Sequence, residues 1–161
     1  RSVGVRARSA GISRRADCRM SADYIALVSA GLFLLVGMLT GIWKYSHMMR
    51  SEAAEAPVYV DVCHRTALMY AFACLVLQQL ALHSRWSPTV NLWAVLVPVL
   101  FFASAVASYA LHGWLRDTDN QLARPHRLGN KTVPGGLIRL YMVALILGEI
   151  GGTAVLLVGV L

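Results

Sequence analysis

The sequence predicts an all-α fold: a four-helix transmembrane bundle, antiparallel and running up-down-up-down. Three observations predict it. Of the 161 residues, 57% are hydrophobic and only 14% charged, where a soluble domain carries about 25% charged residues. The apolar residues fall into four long runs, and a spanning helix needs roughly 20 of them. The runs are too long and too evenly apolar for barrel strands, which alternate over about 10 residues. Lipid admits only helices or closed barrels, because no water is there to satisfy the backbone.

The spans are expected at 24–43 (YIALVSAGLFLLVGMLTGIW), 64–82, 91–115 and 136–161, within one membrane domain over 20–161. Two of them carry GxxxG spacing, Gly37 to Gly41 and Gly148 to Gly152. Small residues at this spacing let helix backbones approach closely, so the first and fourth spans are expected to make tight contacts, within the chain or between subunits. Cys18, Cys63 and Cys74 form no CxxC pair and imply no disulfide framework. Cys74 reads as a small packing residue in mid-membrane.

Residues 1–19 are Arg- and Ser-rich with one acid, Asp17. This composition suits a mitochondrial transit peptide. Equally, Met20 opens a start of its own, and the leader then reads as translated upstream sequence; the second reading is preferred. Disorder is expected there in either case. Net charge is +7. Six of the fifteen basic residues lie in that leader, and most others fall in short loops. The charge therefore describes membrane topology, with no nucleic-acid partner. Lys44, Arg50, Arg65, Arg116, Arg124, Arg127, Lys131 and Arg139 all fall on the side of the 44–63 and 116–135 loops, against Arg85 on the other. Without the leader, the positive-inside rule puts the first group in the cytoplasm, as for a bacterial inner-membrane protein. With a genuine leader the two sides nearly balance, and a mitochondrial inner membrane becomes the expected place.

Alternating spans bring three histidines to one membrane boundary: His47 at the end of the first, His64 at the start of the second, and His112 near the end of the third. Trp43, Tyr45, Tyr59, Tyr70, Tyr109, Trp114 and Tyr141 gather near that level. Each histidine alone is explained as an interfacial residue, since aromatic belts form in any membrane protein. Together they form a candidate site, because chain topology converges them. A helix-start position at His64 would favour neutral imidazole, the metal-ligating form. Tyr109 and His112, three apart, share a face. Ser104 and Ser108 continue it, read mainly as packing residues. Glu149 stands in the middle of an apolar run, where a carboxylate must face the interior, find a partner or hold a proton. Asp117, Asp119 and Asn120 read as a solvated loop, with a lid or a ligand as the other reading. No nucleotide loop, HExxH, GxSxG or cysteine cluster is present.

The order GLFLLVGMLTG, HRTALMYAF, ASYALHGWLRDTDNQ and a glycine-containing last span resembles the small four-helix membrane isomerases, of the styrene oxide isomerase and hydroxylaminobenzene mutase type. The resemblance covers about residues 24–161. It implies a b-type haem with His64 as the axial ligand of a Lewis-acidic iron, acting on a small lipophilic substrate of the epoxide or aryl hydroxylamine class. It implies a homo-oligomer, a trimer, in the lipid bilayer with haem near the subunit boundary. Tyr109 matches a tyrosine that orients substrate. The family's helix-2 asparagine, six residues after the histidine, falls on Tyr70, so a phenol stands where an amide would. Arg65, with Arg116 and Arg124, is placed to pair with haem propionates; Arg65 also reads as an ordinary snorkelling charge.

Two other functions fit the residues. His64 and His112 could ligate one iron together, closing it and leaving electron transfer, as in a membrane b-type cytochrome. A cofactor-free accessory subunit of a membrane complex would use the glycine faces and basic loops alone.

Overall fold

The structure, a computed structural model, describes residues 21–161; the expectation for the 1–19 leader lies outside them. Four long helices account for most of the described chain: α1 (Ala22–Met48), α2 (Val58–His83), α3 (Pro88–Leu115) and α4 (Gly135–Val160). All four are long and apolar enough to cross a membrane, and the chain is an integral membrane protein with the all-α bundle architecture expected. Its exterior is apolar: Leu32, Ile42, Met69, Phe72, Leu147 and Ile150 are each more than half exposed, as a lipid-facing surface requires.

Helix ends follow local chemistry. At α3, the Ser87 hydroxyl accepts from the Val90 amide and Pro88 occupies the first turn, where its missing N–H and fixed φ suit a helix start. Arg116 closes α3 in the left-handed region, φ 50°, with its amide donating to the His112 carbonyl at 2.8 Å. That residue turns the chain back under the helix end. The 116–134 segment then forms a small antiparallel hairpin, β1 (Arg127–Leu128) and β2 (Lys131–Thr132), pairing Arg127 with Thr132 and Leu128 with Lys131. Gly129 takes φ +59° at its turn, a conformation that favours glycine.

One expected boundary is corrected. Helix α2 starts at Val58, six residues before His64, with the Pro57 carbonyl accepting from Val60 and Asp61. Asp61 ends the apolar run but suits the positive helix start, so the helix extends beyond the bilayer-length run. His64 therefore lies nearly two turns inside the helix, and the helix-start argument for its neutral form does not apply. A different contact fixes that ring, described below.

Consecutive helices pack side by side, with α1 also against α3 and α4 also against α2. Both GxxxG pairs lie at helix contacts within the chain. Gly37 and Gly41 face Leu68 and His64 of α2; Gly148 and Gly152 face Phe101, Val97, Pro98 and the Ala94 carbonyl of α3. The far end of α4 is latched as well. The Arg85 amide donates to the Gly159 carbonyl at 2.9 Å, and Trp86 Nε1–H to the Val155 carbonyl at 2.8 Å. Near its start α4 stands off from α3, and a cavity opens between them.

A Cβ at position 152 would come within 2.6 Å of the Ala94 carbonyl oxygen, whereas one at 151 meets nothing within 4 Å. Gly152→Ala should therefore lower stability by about 1–3 kcal/mol through overpacking, and Gly151→Ala should not. Thermal unfolding of the two variants in the same detergent checks the contrast.

Candidate functional site

The cavity between α3, α4 and the hairpin segment has a volume of about 590 Å³, within the range of small-molecule sites. Tyr70 reaches it from α2, and Ser104, Ser108, Tyr109 and His112 from α3. Gln121, His126 and Leu128 close it from the loop, with Leu137, Tyr141 and Leu145 on α4. The exposed part of its lining includes Leu111, Leu122, Leu128 and Leu137, with Arg127 beside them. A second concavity between α3 and α4, lined by Trp93, Val97, Leu147 and Gly151 among others, is an apolar groove without a titratable side chain.

Aromatic packing shapes the walls. Tyr70 stacks on Phe102 with ring centroids 4.1 Å apart and meets Phe33 edge-on at 6.1 Å. Tyr59 stacks on Tyr109 at 5.9 Å and leans on His112 at 5.2 Å. Ser104 donates to the Phe101 carbonyl at 2.8 Å, so Tyr141 must be the donor in its 2.7 Å bond to Ser104. Ser108 donates to Gln121 Oε1 at 3.1 Å, and the Gln121 backbone N–H donates to the Tyr59 hydroxyl. No partner among the described residues takes the Tyr70 or Tyr109 hydroxyl, which leaves both as polar groups for a bound molecule.

His112 and Asp117 form a buried pair. His112 Nδ1–H donates to Asp117 Oδ1 at 2.8 Å, and their side chains are 7% and 5% exposed. Asp117 Oδ2 accepts from the Gly129 amide at the hairpin turn. Burial pushes the Asp117 carboxyl up, but the bonds from His112 and Gly129 more than offset it and hold it below its ordinary value. The loop reading of Asp117 as a solvated residue is thus corrected: the left-handed turn at Arg116 folds it back onto the last turn of α3.

His64 occupies a different place. Its Nδ1–H donates to the Gly37 carbonyl of α1 at 2.8 Å, and its ring lies against Gly41, where a Cβ would stand 2.9 Å from Cε1. The ring is fixed through Nδ1, and its Nε2 makes no hydrogen bond among the described residues. Arg65 pairs with Asp61 at 2.7 Å, and Lys44 pairs with the same carboxylate at 2.6 Å. Arg116 reaches His47 at 3.2 Å. Of the sequence-predicted residues, Tyr70, Tyr109 and His112 share the cavity. His64 and Arg65 belong to the α1–α2 contact, and the α3–α4 cavity is lined by His112 and not by His64.

Glu149 lies on the inward stripe of α4 that also carries Leu145 and Leu156. Its Oε1 is sealed from the surface without a hydrogen-bond partner among the described residues, and its carboxyl is within electrostatic reach of Tyr70 and Tyr109. Sequence reasoning missed the roles of Tyr59 and Gln121, which depend on the loop's path, and of Tyr141, which depends on how α4 meets α3. A Gly-Asn turn at 129–130 was the available signal for the hairpin. Comparison of the chain with protein-family models, curated proteins and solved structures finds no match.

A carboxyl held low stabilises the fold above its ordinary pKa, about 4, and loses that contribution as pH falls through its folded value. The 116–134 segment should therefore be tight at neutral pH and loosen on acidification below about pH 4. Hydrogen exchange at the Gly129 amide reports this, and Asp117→Ala should exchange fast there at neutral pH too.

Proposed function

We propose that the chain is a membrane isomerase-type protein that takes a small lipophilic molecule into the α3–α4 cavity, with a b-type haem held by His64. The cavity carries the reading: its volume, mostly apolar lining and few placed polar groups are those of a small-molecule site. Tyr70 and Tyr109 are the groups that orient the substrate, of the epoxide or aryl hydroxylamine class. Their hydroxyls donate to its oxygen, and the apolar walls exclude water.

The donor chemistry of His64 fits an axial ligand. Metal-binding histidines characteristically donate the other ring N–H to a carbonyl or carboxylate, and the Gly37 carbonyl supports that role. Among the described residues no three His, Cys, Asp or Glu side chains gather around a bare ion. A haem brings four iron ligands of its own, so one histidine suffices. When bound, it would supply Lewis-acid chemistry at its iron. Arg65 stands beside the ligand for a propionate, in competition with Asp61.

His64 belongs to the α1–α2 face and the cavity to the α3–α4 face. A closed cyclic homo-oligomer, such as a trimer, sets one face of each subunit against the other of its neighbour. Cytochrome function, which asks His64 and His112 to share an iron, has less support because each serves a separate contact. The residence proposed is a bacterial inner membrane, or a mitochondrial one if the arginine leader is genuine.

The test is the absorption spectrum of protein purified in detergent after expression with haem precursor. A near-stoichiometric Soret band of five-coordinate, high-spin ferric haem is expected, lost in His64→Ala while the protein still inserts. A low-spin, six-coordinate spectrum lost in both His64→Ala and His112→Ala would establish the cytochrome instead. A spectrum without haem would overturn both and direct attention to partner subunits.

A further inference from the structure

We infer that the α3–α4 cavity selects lipophiles carrying a hydroxyl donor, of the phenol class, and that His112 Nε2 is the acceptor that selects them. This rests on the cavity being a ligand site, as proposed above, and adds what that site recognises.

The acceptor is defined by its neighbours. Asp117 is a carboxylate and can only accept, so Nδ1 of His112 carries a proton, 2.8 Å from Oδ1. In the neutral ring Nε2 is then a bare lone pair. The imidazole cannot turn over without breaking the Asp117 bond, and Asp117 is itself anchored by the Gly129 amide. Tyr59 packs against the ring at 5.2 Å and is held in turn by the Gln121 backbone N–H.

His112 is 6% exposed and lines the cavity. Its Nε2 has no partner among the described residues and does not count among the sealed, orphaned atoms, where only Glu149 Oε1 is found. The surface that His112 retains therefore includes this lone pair. No donor of the wall bonds to Nε2: Tyr141 donates to Ser104, Ser108 donates to Gln121, His126 Nδ1 is 3.2 Å from the Gln121 carbonyl, and the Tyr70 and Tyr109 hydroxyls make no hydrogen bond among the described residues. A buried acceptor without a donor calls for one on the ligand.

The walls name the rest of the ligand. Tyr70, stacked on Phe102, and Tyr109, stacked on Tyr59, offer flat aromatic surfaces against which a ring packs well. A neutral phenol meets both demands. Its methyl ether keeps the shape and loses the donor, so it leaves Nε2 unmatched. Sites built around such a bond reject the analogue lacking it far more strongly than an apolar pocket rejects one methyl group.

The test compares 4-tert-butylphenol with its methyl ether on the purified full chain in detergent, by titration calorimetry. The phenol should bind about 10-fold more tightly or better. His112→Phe should bring the two to similar affinity while the ether still binds. Equal binding of both probes to the unmodified protein, a comparison that needs no variant, overturns this inference and leaves the cavity standing as a ligand site. Binding of neither probe overturns the cavity reading and this inference together. A discrimination that persists in His112→Phe assigns the acceptor elsewhere and overturns the role of His112.

Discussion

Backbone approach at four glycines is the constraint on which the rest of this structure depends. Between helices in lipid there is no water to expel, so association relies on close packing and interhelical hydrogen bonds. Gly37 and Gly41 admit Leu68 and His64 of α2 to the surface of α1. The same clearance lets the His64 ring reach the Gly37 carbonyl at 2.8 Å. On the other side, Gly148 and Gly152 seat α4 on α3, while bulkier residues at Leu137, Tyr141 and Leu145 hold the two helices apart and line a cavity. The contact that fixes the candidate ligand and the space that would hold a substrate thus come from one rule: glycine where helices touch, large side chains where they part.

Polar groups inside the bundle follow a second rule, imposed by the cost of an unmatched donor or acceptor in lipid. Ser108, Gln121 and Tyr59 form one hydrogen-bonded set and His112, Asp117 and the Gly129 amide a second; the Tyr59–His112 ring contact joins the two across α2, α3 and the loop. Loop and bundle are one unit for this reason, since the hairpin supplies a donor to a carboxylate buried under a helix end. Glu149 departs from the rule. A carboxyl oxygen sealed without a partner marks a place where the bundle tolerates cost in mid-membrane, close to the phenols of Tyr70 and Tyr109.

Much of the fold was legible in the sequence because solvent composition writes it plainly. Four apolar runs separated by charged loops are read without tertiary information, and the GxxxG pairs located two real helix contacts. The site was legible only in part. Tyr70, Tyr109 and His112 were placed at one level by topology and do line one cavity. His64 was placed at the same membrane boundary, but level alone does not say which way a side chain faces, and the ring is on α1. The apolar run ends at Asp61 and predicts a shorter α2, whereas the helix continues for a further turn, with Pro57 at its N-cap position. Asp117 was the least legible residue. Its burial follows from a left-handed turn at Arg116, a conformation that arginine adopts rarely and that no local pattern announces.

The exposed leucines of the cavity lining, Leu111, Leu122, Leu128 and Leu137, have a consequence for dose. For a molecule that enters past them from the bilayer, the concentration that governs occupancy is the one dissolved in lipid. Each added methylene enriches a solute there about fourfold, from about 0.8 kcal/mol of transfer free energy. Across a homologous series, apparent potency measured against the aqueous amount will climb with chain length even when every member fits the cavity equally well. Preference seen from the water side is then a product of two filters, partition first and fit second. Only normalisation to the membrane-dissolved fraction separates them.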